Sequence, residues 1–219
     1  MQVSIISVSQ PRVAGLESAE DLIAYTARVS NPGNQANTET APRLLAYLVR
    51  NQHWSPFEMV SVTMEIETTR DIARQMLRHR SFSFQEFSQR YAEVDAEAVF
   101  RECRLQDPTN RQNSITGASE SQQDSWGRIQ RDIWTRTISH YKQALQRGVA
   151  KEVARALLPE GLTQSRLYMA GSLRSWIHYV QLRAEAGTQR EHRDIAEAAK
   201  ARLLVEFPSL SEVLACSPT

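Results

Sequence analysis

Residues 78 to 91, RHRSFSFQEFSQRY, set three arginines, a histidine, a glutamate and three serines among four aromatic side chains, with no glycine or proline between them. Guanidinium grips carboxylates and phosphates well, because its planar fork donates two parallel hydrogen bonds. A helical wheel over 69–80 gathers Ile72, Ala73, Met76 and Leu77 on an apolar face and sets Arg74, Gln75 and Arg78 together on the other side. Arg80 falls back on the apolar side, where it requires either an internal carboxylate, Glu86 or Glu58, or a bound phosphate. Phe82 and Phe84 alternate in step but Phe87 does not, so an irregular segment or bulge is expected near Gln85. If the chain is extended again from Glu86, then Glu86, Ser88 and Arg90 share one face and Phe87, Gln89 and Tyr91 the other. A carboxylate, a hydroxyl and a guanidinium converging beside Arg78 suit a planar, polar, phosphorylated ligand.

The rest of the chain narrows the chemistry. Its 219 residues fit one large domain, 1–219, better than two small ones, and no linker divides it. A formal net charge of +1 argues against general attraction to nucleic acid or membrane, although 23 arginines stand against 3 lysines. Cys103 and Cys216 form no CxxC pair, which argues against a disulfide framework or a structural zinc and suits a reducing compartment. The opening MQVSIISVSQPR is too short and interrupted for a signal peptide, and no apolar run reaches a membrane span, so a cytoplasmic protein is expected. GxGxxG, GxxxxGK, GxSxG and HExxH are all missing, so a bound nucleotide must be held by side chains and no metal is expected. His140 and His192 are isolated and read as structural.

The elements that must position these groups come in mixed order. Val3 to Val8 reads as a strand; Ser18 with Asp21 opens a helix that SNPGN (30–34) stops; Pro42 begins another. HWSPFE (53–58) is an ordered connection, and Val60, Val62, Met64 and Ile66 alternate as a half-buried strand before the helical period of Thr69 to Arg80. Residues 92–124 are polar and weakly periodic. Ile129, Ile133, Thr137, Tyr141 and Leu145 mark a long helix, Lys151 to Leu158 a second that Pro159 stops, and Arg166 to Ala170 a strand. Ser172 caps a helix that Gly187 ends, Thr188 with Glu191 forms a capping box for a helix to about Glu206, and Ser209 with Glu212 starts a last short one. The expected fold is α+β, with a mixed or antiparallel sheet flanked by long helices.

Arg78-His79-Arg80, seven residues and Ser88 resemble the RHRx7S signature of the flavin-dependent thymidylate synthases, whose longer form Glu86, Arg90 and Tyr91 complete. ARVSNP (27–32), HWSPFE, ARALLP (154–159) and GSLRSWIHYVQLRAEAGTQREH (171–192) extend the resemblance over most of the chain. It implies an enzyme that makes dTMP from dUMP with methylenetetrahydrofolate as carbon donor, FAD as redox carrier and NADPH as reductant. It also implies a homotetramer with active sites shared between subunits. Carried over by position, Ser30, Ser55, Glu58, Arg78, His79, Arg80, Glu86, Ser172, Arg174 and His178 correspond to FAD contacts. Gln75, Arg78, Glu86, Ser88, Gln89, Arg90, Arg155 and Arg183 correspond to dUMP contacts, Arg183 to the catalytic arginine, and His53 to a residue near flavin and folate.

Those residue types fit that reaction. A phosphate dianion is best held by forked donors and hydroxyls such as Arg90 and Ser88, while a guanidinium at Arg183 can stabilise charge spread over uracil N3 and O4 and so make C5 nucleophilic. No cysteine is then required to attack C6, and Ser88 reads as a ligand rather than a nucleophile. Gln85, Ser172 and Gly187 depart from the residues frequent in the family; Ser172 keeps a hydrogen-bonding group, whereas Gly187 has no side chain to offer a flavin. Two other readings compete. An arginine-rich nucleic-acid module would stack bases on Phe82, Phe84 and Tyr91, and a flavoprotein reductase would not need Arg90, Arg155 and Arg183 together.

Overall fold

The computed structural model describes residues 2–95, 97–211 and 214. Strand β1 (Gln2–Val8) precedes helix α1 (Ala19–Ala27), whose reciprocal cap forms as predicted. The Ser18 hydroxyl accepts from the Asp21 N–H at 3.1 Å, and the Asp21 carboxylate accepts from the Ser18 N–H at 2.9 Å. A 3₁₀ turn at Pro32–Asn34 ends SNPGN, α2 (Ala41–Arg50) carries Pro42 in its first turn, and HWSPFE closes into a 3₁₀ turn at Ser55–Met59. Strand β2 (Ser61–Thr69) buries Val62, Met64 and Ile66 on one face. Then come α3 (Arg70–Met76), β3 (Ser83–Glu86), a short antiparallel pair of β4 (Leu105–Gln106) and β5 (Ser114–Ile115), α4 (Glu120–Gln146) and α5 (Lys151–Ala154). Strand β6 (Gln164–Ser172), α6 (Leu173–Arg183) and α7 (Arg190–Glu206) complete the order.

The principal sheet runs β1-β2-β6-β3. Ser9 beyond the end of β1 donates to Ser61 at the start of β2, Leu173 beyond the end of β6 donates to Val60, and Phe87 beyond the end of β3 donates to Arg166 near the start of β6. Each bond joins one strand's end to its neighbour's beginning, so the sheet is antiparallel. With helices interspersed, the fold is α+β, as expected.

The chain packs as two compact units: residues up to 66, 79–85 and from 168 onward form the first, and 67–78 with 86–167 the second. The first buries Ile23, Leu45, Phe57, Trp176, Tyr179 and Phe207. Within it the Phe82 ring lies against the backbone of Gly171, where an added Cβ would sit 2.5 Å from a ring carbon, and packs edge-on to Trp176 with centroids 4.9 Å apart. Gly171→Ala is therefore expected to cost about 1–3 kcal/mol by overpacking, read as a lower urea midpoint. In the second unit Tyr141 packs with Val94, Ala154 and Leu158, and its hydroxyl accepts from the Val94 N–H at 3.1 Å.

Several local expectations are corrected. Helix α3 ends at Met76, so the wheel does not extend to Arg80, which is exposed. Glu86 and Glu58, its proposed partners, pair with Arg70 and Arg174 instead. β3 continues through Gln85 and stops at Glu86; Phe87 loses its phase because the strand ends there. A turn follows, with the Tyr91 N–H donating to the Ser88 carbonyl at 3.1 Å, so Glu86, Ser88 and Arg90 do not line one extended face. The α7 cap is Gln189, not Thr188, whose hydroxyl reaches back to the Leu182 carbonyl, and α6 ends at Arg183, before Gly187. Glu212 of the last predicted cap lies outside the described residues.

Residues 92–124 are better tied down than their composition suggests. Two α4 glutamines bind this segment's backbone as if they were strand neighbours. Gln130 accepts from the Arg101 N–H at 2.8 Å and donates to its carbonyl at 2.9 Å, and Gln123 treats Cys103 likewise at 3.1 Å for both bonds. Arg101 in turn donates to Asp71 at 2.7 Å.

Candidate active site

The residues singled out for the phosphorylated ligand, Arg183 excepted, belong to the second unit. There a cavity of about 450 Å³ is lined by Arg70, Arg74, Gln89, Glu152, Arg155 and Glu160 among others. Glu86, arriving at the end of β3, is fixed from two directions. The Ser165 hydroxyl donates to Oε1 at 2.6 Å, and Arg70 Nη1 reaches the same oxygen at 3.2 Å, with both charged side chains mostly buried. Gln89 is 3 % exposed, and its amide nitrogen has no hydrogen-bond partner among the described residues. A buried donor left unpaired costs about 1–3 kcal/mol, so this atom is a candidate donor to a ligand. Arg74 pairs with Glu160, Arg90 with Glu152 at 3.4 Å, and Arg155 donates to the Glu152 carbonyl at 3.3 Å. The Arg74 and Arg90 ion pairs are half-exposed and weak, so an anion can exchange with their carboxylates. Gln75 is half-buried at the C-terminal end of α3, Arg78 is exposed, and Ser88 accepts from the Arg90 N–H at 3.4 Å.

The first unit carries the flavin candidates other than Arg78 and Glu86. Arg183, at the end of α6, donates through Nε to His79 Nε2 at 3.0 Å. That bond requires the His79 Nε2 to be an unprotonated acceptor. The His79 ring stands edge-on to Tyr179 with centroids 5.0 Å apart, and the Tyr179 hydroxyl meets His192 Nε2 at 3.1 Å. No carboxylate pairs with Arg183 among the described residues. The neutral imidazole orients this cation without cancelling its charge.

Burial first, then the positive charge of Arg183, holds the His192 pKa down at about 4; burial pushes the Tyr179 phenol up. Since unfolding releases His192 to an ordinary value near 6.5, the unfolded chain binds the extra proton. Its stabilising contribution is thus whole above about pH 6.5 and declines as pH falls towards 4, by about 3 kcal/mol in all. Urea midpoints measured across that window are expected to fall in the parent and to flatten in His192→Gln.

Along the same unit Glu58 pairs with Arg174 at 2.8 Å. The Ser172 hydroxyl, then Arg174 and the charge of His178, lower the Glu58 pKa against the opposing effect of burial. Ser172 also caps α6, accepting from the Ser175 N–H at 3.2 Å. His178 and Trp54 meet edge-on at 5.3 Å, while Ser30, His53, Ser55 and Arg80 are exposed. A cavity of about 310 Å³ borders His79, Ser81, Ser175, His178 and Tyr179. Hydroxyls, imidazoles and guanidinium donors beside flat aromatic rings suit the ring and pyrophosphate of FAD, so the donor set fits that cofactor. Gly187, beyond the end of α6, has open space around its Cα and contributes no side chain.

Sequence reasoning missed Arg70 and Ser165, which hold Glu86, and Tyr179, which joins His192 to the Arg183 neighbourhood. Ser165 had a signal: it is a polar residue at an inward position of a strand.

An α+β fold with an arginine-lined cleft and an uncompensated guanidinium held by imidazole defines a nucleotide-handling class, and a family model narrows it. The model described as "Thymidylate synthase complementing protein" matches residues 13–209. The chain belongs to the flavin-dependent thymidylate synthase family. It is 49% identical over 214 residues to a probable flavin-dependent thymidylate synthase of Paramecium bursaria Chlorella virus 1, covering 98% of this chain and 99% of that one. It is 48% identical over 217 residues to the flavin-dependent thymidylate synthase of Synechocystis sp., again covering 98% and 99%. A solved structure of the UMP/dUMP methylase PolB from Streptomyces cacaoi, bound with 5-Br dUMP, superposes with a TM-score of 0.82 at 28% identity, covering 99% of this chain and 97% of that one.

Proposed function

We propose that the protein methylates dUMP to dTMP reductively, with methylenetetrahydrofolate as carbon donor and NADPH as reductant. The observation that carries this reading is the second-unit cleft, where the unpaired Gln89 amide lies among Arg70, Arg74 and Arg155. Arg90, Arg155 and Ser88 hold the phosphate, with Arg78 and Gln75 beside them, and Glu86 fixed by Arg70 and Ser165 accepts from the nucleotide. Arg183, steered by His79, stabilises negative charge on the uracil as C5 attacks, without losing a proton itself. Ser30, Ser55, Glu58, Arg78, His79, Arg80, Glu86, Ser172, Arg174 and His178 would hold FAD, and His53 stands near flavin and folate. FAD, when bound, supplies the redox chemistry that reduces the transferred carbon to a methyl group.

Assembly as a homotetramer belongs to the same proposal. Trp126, Ile129 and Ile133 stand 38%, 48% and 44% exposed at one-turn spacing along α4, an apolar stripe of the kind a subunit interface covers. The activity test is direct: the purified protein should be yellow, oxidise NADPH in response to dUMP and form dTMP with methylenetetrahydrofolate. A protein unable to take up FAD would overturn the reading, and NADPH oxidation without dTMP would favour the reductase. Light scattering should return four times the chain mass; a monomer would overturn the assembly.

A further inference from the structure

A recess in the first unit with no role assigned above lies where the segment after α1 meets α2. It is a cavity of about 630 Å³ whose charged lining consists of Arg28, Arg43 and Arg50, with Tyr47, Asn31 and Asn34 beside them. No carboxylate lines it. Arg28 is fixed in place, donating through one terminal nitrogen to the Asn37 carbonyl and through the other to the Thr40 hydroxyl at 2.7 Å. Arg43, Tyr47 and Arg50 fall at i, i+4 and i+7 on α2, so they share one face, and all three are exposed. Neither Arg43 nor Arg50 forms an ion pair among the described residues. Three guanidinium groups around one recess repel each other unless an anion joins them, and a strip about 10.5 Å long, at about 1.5 Å rise per residue, suits several anionic groups in a row better than one.

Tyr47 connects this recess to the proposed chemistry, because its ring meets His53 edge-on with centroids 6.0 Å apart. We propose that the Arg28–Arg43–Arg50 recess binds the chain of carboxylates at the γ-glutamyl tail of the folate co-substrate, with Tyr47 separating tail from pteridine. This assignment rests on the reading of His53 as a residue near folate. Each added glutamate offers one more carboxylate to a guanidinium fork, so affinity should rise with tail length and weaken with added salt. The site thereby selects polyglutamylated folate without touching the reacting carbon.

The test compares monoglutamate and pentaglutamate forms of methylenetetrahydrofolate on flavin-loaded protein, with Kd read by calorimetry and KM by dTMP formation. Arg43→Gln/Arg50→Gln is expected to weaken pentaglutamate binding about tenfold, to change monoglutamate binding less than about twofold, and to leave kcat unaltered. Equal effects on both forms, or no effect on either, would overturn the assignment. So would a rise confined to the KM for NADPH, since the anion recognised would then be a phosphate. A parent that forms dTMP but ignores tail length refutes the recess alone; a parent that binds the long tail through these arginines yet forms no dTMP refutes the proposed reaction and leaves the recess standing.

Discussion

Arg183→Ala should fold, take up FAD and lose turnover by about three orders of magnitude, the scale set by removing one preorganised donor from a site of developing charge. The size follows from how the guanidinium is held. A carboxylate partner would cancel much of its field, but the partner here is His79 Nε2 at 3.0 Å, a neutral lone pair. The loss should therefore fall on kcat, with KM for dUMP rising far less, because the interaction grows only as the ring acquires charge. Arg183→Lys restores the charge without the fork and should recover only part of the rate.

A structural side effect distinguishes true removal of charge from unfolding. After burial, the charge of Arg183 depresses the His192 pKa. Its removal should move that pKa towards its ordinary value and so narrow the acid window in which stability is lost. Turnover retained to within about threefold would refute the catalytic assignment, and a variant that unfolds would show Arg183 to be structural instead.

Much of the framework was legible because it rests on local rules. The Ser18–Asp21 cap, the alternation in β2 and Pro42 at a helix start each depend on residues within a few positions of one another. What could not be read depended on residues distant in sequence. Glu86 and Ser165 are separated by 79 positions, and Arg183 and His79 by 104. Arg80 shows the opposite failure, since a helical wheel presumes a helix that in fact ends at Met76. Ile129 and Ile133 were legible as a stripe but not as an exposed one, because periodicity reveals that a face is apolar and not what covers it. RHRx7S survived the misreading of its local geometry: Glu86, Ser88 and Arg90 serve one region of the chain through a turn, not along a strand.

Glu86→Ala is the second large effect, and it tests whether that carboxylate belongs to the scaffold, the ligand or both. Its removal leaves Arg70, with a side chain only 17% exposed, short of its counter-charge, and deprives the Ser165 hydroxyl of its acceptor. Breaking a mostly buried pair from one side costs about 3 kcal/mol, moderated here because Arg70 Nη1 also lies 3.5 Å from the Phe87 carbonyl. Glu86→Gln keeps the shape and one acceptor oxygen, so it should cost nearer 1 kcal/mol while still weakening dUMP about tenfold if the carboxylate contacts the nucleotide. Combining Arg70→Gln with Glu86→Gln should return part of the stability, and a coupling energy near zero in that cycle would refute the pair. The ligand role falls by a different measurement: if calorimetry on folded Glu86→Gln shows parental dUMP affinity, the carboxylate only buttresses β3. If affinity falls about tenfold while stability drops by no more than about 1 kcal/mol, the carboxylate is buried to receive a nucleotide, and Arg70 and Ser165 hold it still.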